Sequence, residues 1–427
     1  MRKPYFLRSA VMAAIFLLVQ ASWCAETAAA RAAKAGELVT LKHHKILRLF
    51  GKDIKERGFA HGYLLAAEIR DCMEDALKSL PLFSAEKFAE QVAPWAKKNF
   101  VWDESAKLEL EGLFQGVRAR LSDTELVCPV LKRAMTLDDL YGINVIADWF
   151  GPACSGFTAW GTLTGGPVVH GRNLDFPIGK RAVTNQVVLA SAALMSRGKA
   201  GAQKAWIGVG WPGLITQFSA MNEDGLVCNL HDATNVAKGG VTEGFVARGL
   251  LLRRIVEAVD PEKGDAATAA AALAERQPVS CGNLFHLAWP KQAAVRTKTV
   301  PCAVLEFDAA DRGAGQKAVF IRRPEGEPFC VLTNHYCLRR AALDCKRYSD
   351  IHGVLANMAK EGTPLGVPEA RKVLIAGELA LAAHTLVFLP DERTLHVALT
   401  RGNFLSTRTA GALFTFAELQ ARSGVDP

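Results

Sequence analysis

Several patterns that would assign a function directly are missing from this chain of 427 residues. Its ten cysteines form no Cys-x-x-Cys pair, and no group of histidine and cysteine has zinc-site spacing. The basic residues are scattered and match no nucleic-acid-binding motif. We therefore expect no metal, no other cofactor and no nucleic-acid partner.

Long apolar runs are also missing after the first 24 residues, so we expect no stable membrane span in the mature chain. At the start, Arg2, Lys3 and Arg8 precede an apolar run from Ala10 to Val19, which is the pattern of a secretory signal peptide. We predict that residues 1–24 are a signal peptide and that the mature protein is periplasmic or secreted. Removing the three cations lowers the formal net charge from +8 to +5, which suits an anionic envelope or an anionic substrate.

Disorder is excluded by composition, because half of the residues are hydrophobic and can form a sizeable core. Nine cysteines remain after Cys24, and an odd number leaves at least one thiol unpaired in an oxidising compartment. Cys154 is our candidate for that thiol. The pairing of the other cysteines stays open.

Periodicity predicts helices up to about residue 150 and strands alternating with helices after residue 175. Among the predicted strands are 183–193 and 213–221. His61 lies where a helix is predicted to begin, and without a partner motif we interpret it as a packing residue.

The chain is organised around two runs of strand-like composition, Cys154–Trp160 and Val168–Asp175. The turn-rich segment between them, which contains Gly165, predicts a β-hairpin. Antiparallel pairing about this turn brings Arg172 close to Cys154, and Asp175 with it. A thiol, a cation and a carboxylate then meet at one end of the hairpin, which favours chemistry over the alternative of a structural hairpin with a buried cysteine.

Cys154 together with Gly171-Arg172-Asn173-Leu174-Asp175 resembles the nucleophile hairpin of the N-terminal-nucleophile (Ntn) hydrolases. The resemblance is to the group of choloylglycine hydrolases, penicillin V acylase, acid ceramidase and isopenicillin N acyltransferase. It implies an α+β fold, a four-layer αββα sandwich, made as an inactive precursor that is cleaved between Ala153 and Cys154. A mostly helical propeptide, residues 25–153, would stay attached as a second subunit to the catalytic domain, residues 154–427.

The stretch Asn222-Glu223-Asp224-Gly225-Leu226 resembles the Asn-Glu-x-Gly-Leu turn of the same group. The resemblance implies that the next strand delivers a polar side chain to the oxyanion hole, at His231 or Asp232. A carboxylate is a poor oxyanion donor unless protonated, so His231 is preferred, and a local turn role for Asp232 stays open.

Thr333-Asn334 resembles the strand end that supplies the group's oxyanion-side asparagine, and Arg347 stands where acid ceramidase-like patterns place a second arginine. A turn role for Asn334 is the alternative. Arg339 and Arg340 compete with Arg347.

Ordinary chemistry explains why cleavage matters. A free α-amine titrates near ~7.7–8.0, whereas an internal amide nitrogen is no base, so release of Cys154 creates nucleophile and base in one residue. We expect Arg172 to lower the pKa of the thiol, Asp175 to orient the amine, and Asn334 to stabilise the oxyanion.

The sequence therefore predicts an exported cysteine amidase that cleaves a linear, non-peptide amide of a small N-acyl substrate through a thioester. An N-acyltransferase using the same nucleophile and a non-catalytic envelope binding protein stay open, as do the acyl and amine parts of the substrate. Five aromatic residues are candidates for an acyl pocket as well as for core packing: Trp149, Phe150, Phe157, Trp206 and Trp211.

Overall fold

The computed structural model describes residues 27–79, 84–149, 151, 153–176, 179–195, 202–233, 244–308, 318–339 and 344–424. The predicted signal peptide, Phe150 and Arg340 lie outside these ranges. Among the described helices, none is both long and apolar enough to cross a membrane.

The strands form two large sheets and one small hairpin. In chain order they are β1 Gly36–Leu41, β2 His44–Leu49, β3 Val127–Cys128, β4 Arg133–Ala134, β5 Ala153–Gly161, β6 Gly166–Asp175, β7 Val187–Ser191, β8 Trp206–Gly210, β9 Ser219–Asn222, β10 Val227–Asp232, β11 Asn283–Ala288, β12 Cys302–Phe307, β13 Val319–Arg322, β14 Phe329–Leu332, β15 Ala382–Leu389, β16 Thr394–Leu399 and β17 Ala412–Thr415. One sheet has nine strands in the order β1-β2-β7-β8-β9-β10-β11-β12-β13, and the other has six in the order β14-β5-β6-β15-β16-β17.

The α-helices cluster before β5, between β10 and β12, and after β14. They are α1 Ala28–Ala35, α2 Ile54–Leu64, α3 Ala66–Ser79, α4 Ala85–Lys87, α5 Ala93–Asn99, α6 Glu104–Arg120, α7 Leu137–Asn144, α8 Ile146–Trp149, α9 Lys180–Thr184, α10 Arg248–Ala258, α11 Ala266–Glu275, α12 Lys291–Thr297, α13 Lys346–Glu361, α14 Val367–Ala376 and α15 Phe416–Gln420. A π-helical turn, Phe88–Val92, joins α4 to α5, and 3₁₀ turns occupy Thr162–Thr164 and Ser406–Arg408.

Three apolar layers show how these elements stack. One core packs the early helices, α10 and α11 on the outer face of the nine-stranded sheet. A second lies between the two sheets, where residues such as Ile207 and Val227 meet Phe388 and Val397. A third packs α13 and α14 on the outer face of the six-stranded sheet. The predicted four-layer αββα sandwich of an α+β fold is confirmed.

The central hairpin forms as predicted, with β5 antiparallel to β6. Its turn follows the 3₁₀ turn at Gly165, whose φ of +71° lies in the left-handed region that favours glycine. The register pairs Cys154 with Leu174 and Ala153 with Asp175, so the cysteine and the carboxylate lie at the same end.

Four strands precede the predicted cleavage point, and two of them, β1 and β2, belong to the nine-stranded sheet. β1 and β2 form a hairpin, and β2 continues the nine-stranded sheet by pairing parallel to β7. Residues 25–153 are therefore mostly helical in their described part, but they also supply an edge of the sheet.

A buried ion-pair cluster also joins the segments before and after the predicted cleavage point. Arg253 of α10 contacts Glu109 of α6 and Glu257 of its own helix, each at 2.7 Å. Removing one partner of such a cluster leaves an uncompensated buried charge. The helices on either side of Cys154 are thus fastened to each other independently of the peptide bond.

Close packing of α2 on α6 depends on four glycines. A Cβ at Gly58 or Gly62 would lie about 2 Å from a backbone oxygen of α6, and one at Gly112 or Gly116 about 2 Å from a backbone oxygen of α2. Without side chains at these positions the two backbones touch, and the helical layer sits rigidly above the sheet.

Two predicted strands differ from those observed. The predicted strand 183–193 begins as helix α9, and the predicted strand 213–221 is extended only over Ser219–Asn222. Before that strand the backbone bonds to helices: Gly213 donates to His61 Nε2 at 3.0 Å, and Ile215 donates to Asn144 Oδ1 at 2.8 Å. Tertiary hydrogen bonds replace the sheet ladder there. His61 is buried, but it lies in the last turn of α2 and not at the start of a helix as predicted.

Candidate active site

The predicted nucleophile, Cys154, is buried at the start of β5. Its thiol lies 3.2 Å from Nη2 of Arg172 and 3.6 Å from the carbonyl oxygen of Leu230. Its backbone N–H donates to Oδ1 of Asn334 at 2.8 Å, and its carbonyl accepts from Nη1 of Arg347 at 3.0 Å. Thiol, amide and carbonyl of this one residue each have a defined polar neighbour.

Arg172 is fully buried and holds the thiol in place through a network around it. It donates to the carbonyl oxygens of Phe218 and, at 2.6 Å, of Leu230, and also to Ser219 Oγ. Burial raises the pKa of the Cys154 thiol, and the expected lowering by Arg172 is present but smaller. Burial thus outweighs the guanidinium in its effect on the pKa of this thiol.

Asp175 supplies an unsatisfied carboxyl group at the same strand end. It is completely buried, and neither oxygen has a hydrogen-bond partner among the described residues. Its Oδ2 lies 3.6 Å from Nη1 of Arg347. Burial raises the pKa of Asp175 to about 7, against the lowering effect of Arg347 and Arg172.

Asn334 comes to the site from the segment just after β14, and Arg347 from the start of α13. Arg347 Nη2 donates to Asn334 Oδ1 at 2.9 Å, and Asn334 Nδ2 donates to the carbonyl of Asp232 at 2.8 Å. In the uncut chain Asn334 therefore holds the nitrogen of Cys154, and its role as an oxyanion donor stays a prediction. Arg339, the competitor of Arg347, is paired with Asp308 instead.

The two weaker candidates have different surroundings. His231 is buried, its Cε1 lies 3.4 Å from the place a Cβ would take at Gly156, and neither ring nitrogen has a hydrogen-bond partner among the described residues. Burial holds the pKa of His231 well below its usual value. The carboxylate of Asp232 is 2.6 Å from Nη1 of Arg248, so only its backbone carbonyl reaches Asn334.

Sequence reasoning missed Arg248 and the backbone carbonyl of Leu230. Arg248 is fully buried, donates to the carbonyl of Ala147 and lies 3.9 Å from Asp148, which places it under the segment that leads to the cleavage point. No sequence signal pointed to it, because its partners lie far apart in the chain.

A small apolar pocket lies between the early helices and the residue that follows Asp175. Phe176, the residue after Asp175, forms part of its wall, and the rest comes from α3, α7, α8, α9 and the segment after β8: Cys72, Met73, Ala76, Ile143, Ile146, Ala182, Trp211, Pro212 and Leu214. Of the described aromatic candidates, Trp211 alone lines it. Phe157 packs under α13 and α14, Trp206 donates to Glu257, and Trp149 stacks edge-on against Trp95.

The structure brings together one group with metal-ligating atoms that the sequence spacing did not reveal. The ligand atoms of His286, Cys302 and Cys330 all lie within 4.8 Å of one another, between the sheets. They come from three different strands, so no linear motif contains them.

Comparison with known proteins found no matching family model and no matching curated protein. Among solved structures, the chain is similar to an N-acylethanolamine-hydrolyzing acid amidase ortholog of Caenorhabditis elegans, with 14% identity and a TM-score of 0.38 over 56% of this chain and 93% of that one. It is similar to a conjugated bile acid hydrolase mutant of Clostridium perfringens, with 11% identity and a TM-score of 0.40 over 63% and 95% of the two chains. It is also similar to penicillin V acylase of Agrobacterium tumefaciens, with 12% identity and a TM-score of 0.41 over 58% and 83%.

Proposed function

We propose that this protein is an exported cysteine Ntn hydrolase that cleaves the non-peptide amide bond of a small N-acyl substrate. The observation that carries the proposal is the surroundings of Cys154: its thiol on Arg172, its nitrogen on Asn334, and the unsatisfied carboxyl of Asp175 opposite Ala153. A buried carboxyl group without hydrogen bonds is costly unless a partner arrives. An α-ammonium group released at Cys154 is such a partner.

Activation begins with the peptide bond between Ala153 and Cys154. The thiol sulfur attacks the carbonyl carbon of Ala153, the C–N bond breaks, and the thiol proton passes to the nitrogen of Cys154, which becomes an α-amine while Ala153 is held as a thioester. Water then opens the thioester, leaving a carboxylate at Ala153 and restoring the thiol. Asn334 Oδ1, which accepts from the amide N–H in the uncut chain, is placed to hold the new amine.

The same groups serve the substrate amide. The α-amine takes the thiol proton, the sulfur attacks the acyl carbon, and the proton is passed to the leaving amine. Water resolves the acyl-thioester and releases the acid. Burial raises the pKa of the thiol and so disfavours the thiolate. The thiol therefore needs a neighbouring base such as the α-amine.

The apolar pocket favours a substrate with an apolar acyl group. The pocket bounded by Phe176, Trp211 and Leu214 is almost free of polar surface and adjoins Asp175 through Phe176. Burying apolar surface contributes about 25 cal/mol per Å², so an alkyl or aryl acyl chain gains from entering it.

Contacts across the proposed cleavage point support retention of the propeptide as a second subunit. β2 pairs with β7, Arg253 pairs with Glu109, and Arg57 donates to the carbonyls of Ala192 and Ala193. Export is proposed from the signal-like pattern of residues 1–24.

N-terminal sequencing of purified active protein tests the proposal. We expect a larger fragment that begins at Cys154 and has 274 residues, and a co-purifying fragment of about 129 residues that begins after residue 24. By residue share of the 46.1 kDa chain these run near ~30 and ~14 kDa. A panel of N-acyl amides read by mass spectrometry should give free acids, and an uncut chain that hydrolyses them would contradict the mechanism.

A further inference from the structure

A second thiol cluster lies between the sheets, away from the hairpin end. Cys302 on β12 belongs to the nine-stranded sheet, and Cys330 on β14 belongs to the six-stranded sheet. Both are buried, in an apolar cluster with Leu284 and Leu332, and their sulfur atoms lie within 4.8 Å of each other. The two cysteines therefore face each other across the interface between the two sheets.

The groups around the pair act on the two thiols in opposite directions: they favour a thiolate at Cys330, whereas burial and the hydrogen bond with Cys330 raise the pKa of the Cys302 thiol. Nε2 of His286 lies 3.5 Å from the sulfur of Cys302 and 2.9 Å from Thr158 Oγ1. Arg322 Nη1 lies 3.7 Å from the sulfur of Cys330. The hydrogen bond from Cys302, and then the Arg322 guanidinium, lower the pKa of the Cys330 thiol. A base next to one thiol and a cation next to the other suit thiol–disulfide exchange, in which the thiolate is the attacking species.

A bound metal ion fits the same cluster less well. The guanidinium of Arg322 would repel a divalent cation. Nδ1 of His286 has no hydrogen-bond partner among the described residues, whereas metal-bound imidazoles normally donate this second N–H. Within the described part of the chain the cluster offers three ligands, one fewer than a structural zinc site requires.

We propose that Cys302 and Cys330 form a disulfide bond that joins the two sheets. The Cys330 thiolate attacks one sulfur of an external disulfide, such as that of an oxidised thiol oxidase, and releases one of its sulfurs as a thiol. His286 then accepts the proton of the Cys302 thiol, whose sulfur attacks the Cys330 sulfur of this mixed disulfide and releases the second sulfur of the oxidant as a thiol. The two cysteines lose two protons and two electrons, and the external disulfide becomes a dithiol. Because both residues are buried in the finished sandwich, the bond forms while the sheets close.

The bond would fix the strand that leads into the proposed active site. β14 is an edge strand, held on one side by β5 with Cys330 opposite Thr158. Asn334 follows only four residues after Cys330 and reaches the nitrogen of Cys154. Cys302 and Cys330 thus act on the site through the strand, as positioning residues. The inference depends on the proposed export for its oxidant, and does not depend on the proposed catalysis.

Disulfide mapping tests the bond. The reduced full chain is refolded in a glutathione redox buffer, alkylated in denaturant without reduction, and cut with chymotrypsin, which separates Cys330 from Cys337 at Leu332 and Tyr336. We expect one linked peptide pair that contains Cys302 and Cys330, with a mass two hydrogens below the sum of its parts. Cys228, which packs on the opposite, helix-covered face of the same sheet, is the control and should carry the alkylating label.

Two further arms keep the outcome decisive. In Cys330→Ala, Cys302 should become labelled, and dithiothreitol should lower the thermal midpoint of the parent chain by several degrees but not that of this variant. Labelling of both cysteines as separate thiols, a link to another cysteine, or a chelator-releasable metal that protects them would overturn the inference. Mapping of protein from the periplasm then tests export separately: a bond formed on refolding but missing in the cell contradicts the compartment, and leaves the chemistry established.

Discussion

Two clusters in this molecule combine a buried thiol, a guanidinium and a carboxylate. At the hairpin end these are Cys154, Arg172 and Asp175; between the sheets they are Cys330, Arg322 and Glu306, with Arg322 Nε 3.3 Å from Glu306 Oε1. The residue types are the same. The hydrogen bonding of the carboxylate is different.

Glu306 is satisfied, because its oxygens accept the backbone N–H groups of Cys337, Leu338 and Arg339 at 3.0–3.1 Å. Asp175 has no hydrogen-bond partner among the described residues, although it is equally buried. A carboxylate with all its hydrogen bonds made holds a loop in place. A buried carboxylate without hydrogen bonds destabilises the fold, and a substrate or a new positive charge can remove that destabilisation. From this difference we infer a structural role for the cluster between the sheets and propose a catalytic role for the hairpin end.

The largest effect should separate the two thiols. Cys154→Ala should abolish self-cleavage and reduce hydrolysis by at least about 10⁴-fold, because nucleophile and base are removed together. Cys302→Ala should still be cut before Cys154 and should still hydrolyse the substrate. Denaturing gels and rates of acid release measure both. Equal activity of Cys154→Ala and the parent would show that Cys154 is not the nucleophile.

A smaller effect concerns the unsatisfied carboxyl and pH. Folding raises the pKa of Asp175 from 3.8 to about 7, so the folded chain retains a proton that the unfolded chain releases. The stabilising contribution is complete below pH 3.8 and is lost as pH rises through about 7. In the uncut Cys154→Ala background, raising the pH from 5 to 8 should therefore cost roughly 2–3 kcal/mol of unfolding free energy that Asp175→Asn does not lose.

Urea unfolding of Cys154→Ala and of Cys154→Ala/Asp175→Asn at the two pH values gives this difference directly. The two chains share every other titrating group, so their difference isolates Asp175. Parallel pH dependences in both chains would show that Asp175 is ionised and solvated in the uncut protein.

The smallest effect concerns Asn334, which lies four residues after Cys330 and accepts a hydrogen bond from the nitrogen of Cys154. Asn334→Asp keeps an acceptor for the nitrogen of Cys154 and loses the donor to the carbonyl of Asp232, whereas Asn334→Ala loses both. We expect kcat to fall up to about 10-fold in Asn334→Asp, the worth of one neutral hydrogen bond, and further in Asn334→Ala. Steady-state kinetics of the cleaved enzymes measure this. Equal losses in the two variants would assign the role to the Nδ2 donor, which both of them lack.

The sequence by itself determined the hairpin and what meets at its end. Strand pairing is local there, since a turn at Gly165 and a period of two residues are enough to bring Asp175 opposite Ala153. It also determined the layer order through the resemblance carried by the hairpin, and it predicted that Asn334 and Arg347 join the site, which they do.

Only the tertiary structure decided the rest. The pairing of β2 with β7, the hydrogen bonding of Asp175, the position of Arg248 and the meeting of Cys302 with Cys330 each depend on segments far apart in the chain. No local propensity encodes such contacts, because they arise when two sheets and their helices pack into one sandwich. The same packing set the pKa of the Cys154 thiol: Arg172 was predictable from the hairpin, but the burial that outweighs it was not.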